Sequence, residues 1–223
     1  VSKRLFPDAL WVEYIDAGYT LCMELKGRID QYKAEHGKVP KLIMLKNHGI
    51  FVSGDTAEEI RSLYAGVIDP LRAEYDSLGV NEDLGIEETG QDPETESKIR
   101  QVFGEDAQFI DSSGLFECVP GPITPDHLVY ARAYPFTDEL TQGNADGYRA
   151  KHGFAPKVVI HGDRVYGLGV TERNAGLALL FAQDAAQVMK LSHAFGGLEY
   201  MSHRAREFIE NWEVESYRQS VAS

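Results

Sequence analysis

The sequence predicts an α/β fold in which strands joined by short turns are covered by long amphipathic helices. Three observations predict it. Short runs rich in aromatic and β-branched residues alternate with longer segments whose apolar residues recur at helical spacing. The stretch "PKLIMLKNHGIFVSGDT" (40–56) has a weak echo in "PKVVIHGDRVYGLGVT" (156–171), and the two align with one gap. Hydrophobic residues at 43% and charged residues at 26% are ordinary for a globular chain, and 223 residues suffice to bury a real core.

"ALWVEYI" (Ala9 to Ile15) reads as a strand. After Gly18, residues Leu21, Cys22, Leu25, Ile29 and Tyr32 fall at helical spacing and Gly37 stops the helix, which puts Cys22 on its apolar face, in the core. "KLIML" (Lys41 to Leu45) suits a buried strand, and "IFVSG" resumes extended structure after His48 and Gly49. Thr56 to Glu59 reads T-A-E-E, a capping box. Ile60, Leu63, Tyr64, Val67, Ile68, Leu71, Tyr75 and Leu78 carry the helix onward, with a kink or restart expected at Pro70 and a stop at Gly79.

From Val80 to Glu96 the chain is acidic and polar, which predicts an exposed, mobile excursion. In the second repeat, a Thr again precedes a long helix, from about Asn174 to Ala194, closed by "AFGG". That helix carries Leu177, Leu180, Phe181, Ala185, Val188, Met189 and Leu191, so it is more apolar than the first and more deeply buried. The organisation expected is a first unit at 1–79, an acidic surface excursion at 80–106, and a second strand–turn–strand–helix unit at 107–223 packed into the same domain.

Charge excludes some functions. Lys and Arg total 22 against 35 Asp and Glu, a net charge of −13, which argues against nucleic-acid and anionic-membrane surfaces because both need clustered cations. No apolar run approaches the ~18 residues that span a bilayer, and "VSKRLFPDAL" has no hydrophobic signal core. Two cysteines, Cys22 and Cys118, are too few for a disulfide framework, so a cytoplasmic setting is expected.

His48 lies in the turn between two apolar runs and has two readings. It is a hydrogen-bonded turn residue, or it is a metal ligand or acid–base group held by rigid strands, with close backbone approach allowed by Gly49. Under the repeat alignment the second copy has Asp163 at that position. Among the other histidines, His36 suits a helix C-terminus, and His127 in "TPDH" reads as a structural turn residue. His152, His193 and His203 show no metal spacing, whereas His161 and Asp163 are ligand candidates if the two copies fold together. Asp111, Ser112, Ser113 and Gly114 read as a polar turn or an anion cradle.

"LKNHGIFVSGDTAEEI" resembles the asparagine–histidine–glycine signature of the class II aldolase/adducin family. "LWVEYIDAGYTLCMEL" is similar to the segment preceding that signature. "GPITPDHLVYARAYP", "PKVVIHGDRVYGLGV" and the terminal "FIENWEVESYR" resemble the later part of the enlarged module found in rhamnulose-phosphate aldolase/alcohol dehydrogenase-type members. The resemblance implies a largely antiparallel sheet flanked by helices in three layers, and a homo-oligomer. It also implies a divalent metal, usually zinc, bound by three imidazoles of which His48 is one. The implied activity is retro-aldol cleavage of a hydroxylated carbonyl compound such as a sugar phosphate, with the metal as Lewis acid on the substrate oxygens. An epimerase using the same step has the same residues.

The sequence departs from that pattern. The family's H-x-H pair, its acid–base residue and its phosphate loops precede the signature, yet none of the 47 residues before His48 forms H-x-H. Ala17 stands where relatives have proline before glycine. The expectation is therefore the later part of a longer polypeptide, with an upstream segment completing the site. The alternative is a non-catalytic assembly module, as in adducin heads, or an inactive fragment.

Overall fold

A computed structural model of the chain describes residues 2–212. The chain divides into two compact units, residues 2–81 with 194–196 and residues 82–193 with 197–212. The predicted mixed α/β class is observed. In place of one largely antiparallel sheet there are two three-stranded sheets, because each strand–turn–strand repeat pairs with a third strand from its own unit.

Unit 1 contains α1 (Ser2–Leu5), β1 (Leu10–Val12), α2 (Tyr19–His36), β2 (Leu42–Leu45), β3 (Gly49–Val52) and α3 (Ala57–Ser77). β2 is central, parallel to β1 and antiparallel to β3. Val12, Leu21, Ile43 and Leu45 form its core, with Leu25 and Ile29 of α2 packed against it. The apolar stripe of α2 thus runs through residues 21, 25, 29 and 32. Cys22 is one residue, about 100° of helix, off that stripe and is exposed, contrary to the core position expected. Gly37, at φ 71°, closes α2 with its N–H on the Lys33 carbonyl.

The α3 cap forms with a shifted return arm. Thr56 Oγ1 accepts from Glu59 N–H at 3.1 Å, while Glu59 Oε2 accepts from the Asp55 N–H at 2.7 Å, one residue before the cap. The other Glu59 oxygen is bound to Lys41, which ties the helix start to the strand entry. α3 does not restart at Pro70; the proline sits inside one helix, at the cost of one backbone hydrogen bond.

Unit 2 contains α4 (Pro93–Phe103), β4 (Phe109–Gly114), α5 (Pro125–Tyr130), α6 (Gln142–His152), β5 (Val158–His161), β6 (Arg164–Gly169), α7 (Glu172–Ser192) and α8 (His203–Glu210). β6 is central and antiparallel to both neighbours, and every one of its residues is buried. α7 lies on β6, capped by Thr171, whose Oγ1 accepts from the Asn174 N–H. Seven α7 side chains are buried, against Val67 alone on α3, as the more apolar second helix predicted. The end of "FIENWEVESYR", 213–218, lies outside the described residues.

The acidic stretch differs from a free excursion. Residues 80–92 have no regular structure, but Leu84 and Ile86 pack against a core cluster of unit 2. The Glu82 carbonyl accepts from Gln187 Nε2 and the Asp83 carbonyl from Lys190, both on α7. Residues 93–103 are α4, whose Ile99, Val102 and Phe103 are buried. These five spaced apolar residues anchor what net charge made look solvated. "DSSG" is neither turn nor cradle: it is the last four residues of the six-residue β4, paired in register from Asp111↔Gly167 to Gly114↔Arg164.

Candidate functional site

His48 sits at the tip of the β2–β3 hairpin, the last of three loop residues between Leu45 and Gly49. The turn is built by backbone chemistry. Asn47 takes φ 51°, a left-handed conformation that asparagine tolerates, and Gly49 takes φ 151°. The His48 N–H donates to the Leu45 carbonyl at 3.3 Å. With the backbone closing the turn, the imidazole is exposed. Nearby in the same unit, Glu13 accepts from Trp11 Nε1 at 2.9 Å and lies 3.7 Å from Lys46 Nζ. The Trp11 bond, then the lysine charge, holds the Glu13 carboxyl below its ordinary pKa, so it stays ionised at neutral pH.

The second hairpin repeats the device. Gly162, at φ 61°, opens a two-residue loop and Asp163 follows it, exposed. The left-handed residue therefore precedes His48 in one copy and Asp163 in the other. His161 ends β5 opposite Arg164, and Asp163 Oδ1 is 3.8 Å from Arg164 Nε.

Four of the remaining histidines have structural partners. His36 ends α2, stacked on Tyr32 with ring centroids 4.2 Å apart and its Nδ1 3.1 Å from the Tyr32 carbonyl. His127, in the first turn of α5, is buried between Thr124 Oγ1 at 2.7 Å from Nδ1 and Asp184 Oδ2 at 3.0 Å from Nε2. His152 ends α6 against the rings of Tyr134 and Tyr148, and its pKa is lowered chiefly by burial. His203 opens α8, 3.2 Å from Glu207. His193 is exposed.

Among the described residues no group of three His, Cys, Asp or Glu side chains could hold a metal ion. Zinc takes three or four protein donors, so the residues present do not by themselves fit the metal centre that the resemblance implies. Among the described residues no helix is long and apolar enough to cross a membrane. In comparisons with known proteins, no family model and no curated protein matches the chain.

Sequence reasoning missed the polar interior of unit 2. Arg132 and Lys157 were each visible as a lone cation in an apolar run, "YARAYP" and "PKVVI". Their proximity comes only from the fold. The partner of His127, Asp184, was hidden in a helical stripe, 57 residues on.

The His127–Asp184 pair supplies a pH test. The hydrogen bond from His127 holds the Asp184 carboxyl below its ordinary 3.8. A carboxylate depressed in the folded state contributes stability above its unfolded pKa, and that contribution disappears as pH falls through the folded pKa. Asp184→Asn is expected to lower the urea midpoint near about pH 6 and to converge on wild type as pH falls through the folded-state pKa, below 3.8. The effect should be small, because the Asp184 side chain is 56% exposed. A constant difference between the two proteins across that range would show that the carboxylate charge plays no part.

Proposed function

We propose that this chain is part of a metal-dependent, class II aldolase-like lyase acting by retro-aldol cleavage on a hydroxylated carbonyl compound, and that its two units belong to that family's three-layer α/β module. The observation that carries the reading is the Asn47–His48–Gly49 tip: a left-handed asparagine and a glycine at positive φ close the hairpin and leave the imidazole exposed. A residue needed only to make the turn would not require an imidazole, since the flanking residues already make it. His48 supplies one donor to a divalent metal, zinc first, and the other donors and the acid–base group come from polypeptide outside the described residues.

The test is metal content of the native protein, purified without chelators, with and without His48→Ala. The variant is expected to lose nearly all bound zinc while its circular dichroism and urea midpoint stay within about 0.5 kcal/mol of wild type, as for a surface substitution. Equal zinc in both proteins removes His48 from the metal centre and the aldolase reading with it.

A second reading, a non-catalytic assembly module, is favoured by a different observation. Tyr64 and Ile68 lie four residues apart on α3 and are 41% and 46% exposed, with Leu78 beyond them. Such a stripe suits contact with another copy. Metal-free protein that forms stable oligomers supports this reading against the first.

A further inference from the structure

Unit 2 carries a cavity of about 320 Å³ bordered by Arg132, Phe154, Lys157, Val170 and Asn174. That volume suits a small metabolite rather than a cofactor. Its wall holds two cations. Arg132 occupies an unusual backbone conformation, φ 66°, which a non-glycine residue keeps only when its surroundings enforce it. Its guanidinium lies 4.2 Å from the centre of the Phe154 ring, and its Nε is buried with no hydrogen-bond partner among the described residues. Lys157 Nζ donates to the Val129 carbonyl at 2.8 Å, leaving further N–H donors on the ammonium.

The opposing charges nearby are divided among several cations. Asp106 borders the cavity but is 3.1 Å from Arg149. Glu210 is shared: it acts electrostatically on Arg132, its Oε2 lies 3.3 Å from Arg206 Nε, and its Oε1 is buried with no hydrogen-bond partner among the described residues. Val170 and Asn174 flank Thr171, the N-cap of the 21-residue α7, whose positive dipole end adds to the field there. Arg132 shares Glu210 with Arg206, and the bond of Lys157 is to a carbonyl rather than a carboxylate, so the two half-buried cations are short of negative charge and an anion between them would offset the cost.

We propose that this cavity is a binding site for a small doubly charged oxyanion, the phosphate monoester of a metabolite being the ligand class, held by Arg132 and Lys157. The proposal rests on unit 2 alone and does not depend on His48 binding a metal. Burial, helped by the Arg132 charge, brings the Lys157 ammonium down to about 7. The empty site therefore holds a largely neutral amine above that pH, and binding an anion draws a proton onto it.

Inorganic sulfate is the first probe, because its charge is constant across the working range. Calorimetric titration of the native protein is expected to show saturable sulfate binding that weakens about tenfold per pH unit above about pH 7, the linkage slope for one required proton. Lys157→Met is expected to lose at least about tenfold in affinity and to lose that pH dependence. No saturable binding in wild type, or an unchanged pH profile in Lys157→Met, overturns the proposal. If the variant fails to fold, wild type answers the same question. Acetic anhydride at about pH 8 should acetylate Lys157, and sulfate should slow that reaction without slowing acetylation of exposed lysines such as Lys38. Equal rates with and without sulfate overturn the proposal as well.

Discussion

Gly167→Val is expected to abolish the cooperative unfolding transition of unit 2 and to send most of the protein into the insoluble fraction. The reason is a close approach of helix to strand. A Cβ at Gly167 would stand 2.4 Å from the Ala175 carbonyl oxygen and 2.7 Å from the Leu179 amide nitrogen, both backbone atoms of α7. Backbone cannot swing aside as a side chain does, so α7 must lift off β6 and leave Ala175, Ala178 and Leu179 unpacked. Even Gly167→Ala should cost about 3 kcal/mol or more, the upper end of the overpacking range, against a total stability of roughly 5–15 kcal/mol. Gly143→Ala is the control. It has nothing within 4 Å of an added Cβ and lies inside α6, so it should be neutral or stabilise by about 0.5–1 kcal/mol. Urea titration followed by circular dichroism separates the two, and similar midpoints for both alanine variants would mean that the α7–β6 contact gives way easily.

Phe136→Ala is expected to lose about 3–5 kcal/mol, the range for a buried aromatic cut to a methyl group. Phe136 is 0% exposed. Its ring meets Phe103 edge-on at 5.1 Å between centroids and Tyr148 at 5.9 Å, which joins α4 and α6 in one aromatic cluster. Its backbone extends the sheet as well, with its N–H on the Val158 carbonyl at 2.8 Å and its carbonyl accepting from the Ile160 N–H at 2.9 Å. The main-chain bonds survive the substitution, so the loss measured is that of the ring. Phe136→Leu should recover more than half of it, since most of the volume returns. A loss below about 1 kcal/mol for the alanine variant would show that the cluster closes over the gap.

The helix caps, both hairpins and the greater burial of α7 were legible because each is written in neighbouring residues. Thr56 and Thr171 each cap an apolar helix through a side-chain oxygen that reaches three residues ahead. The polar interruption between apolar runs placed both turns, and Asn47 and Gly162 carried the residue types that left-handed backbone demands. The acidic stretch misled because average charge outweighed the apolar residues Leu84, Ile86, Ile99, Val102 and Phe103, the first two of which pack against the core and the last three of which are buried. Cys22 misled because one residue of helix rotation separates the rim of a stripe from its centre.

The sequence by itself determined the alternation of elements, their caps, the exposed tip that carries His48 and the acidic character of the chain, since local propensity and hydrophobic period act over a few residues. Only the tertiary structure decided that the strands close into two sheets rather than one, that "DSSG" becomes strand β4 instead of a turn, and that Arg132 and Lys157 line one cavity. Those outcomes depend on pairings between residues far apart in the chain, where each backbone N–H finds its carbonyl and each half-buried cation meets its neighbours, and no local signal encodes them.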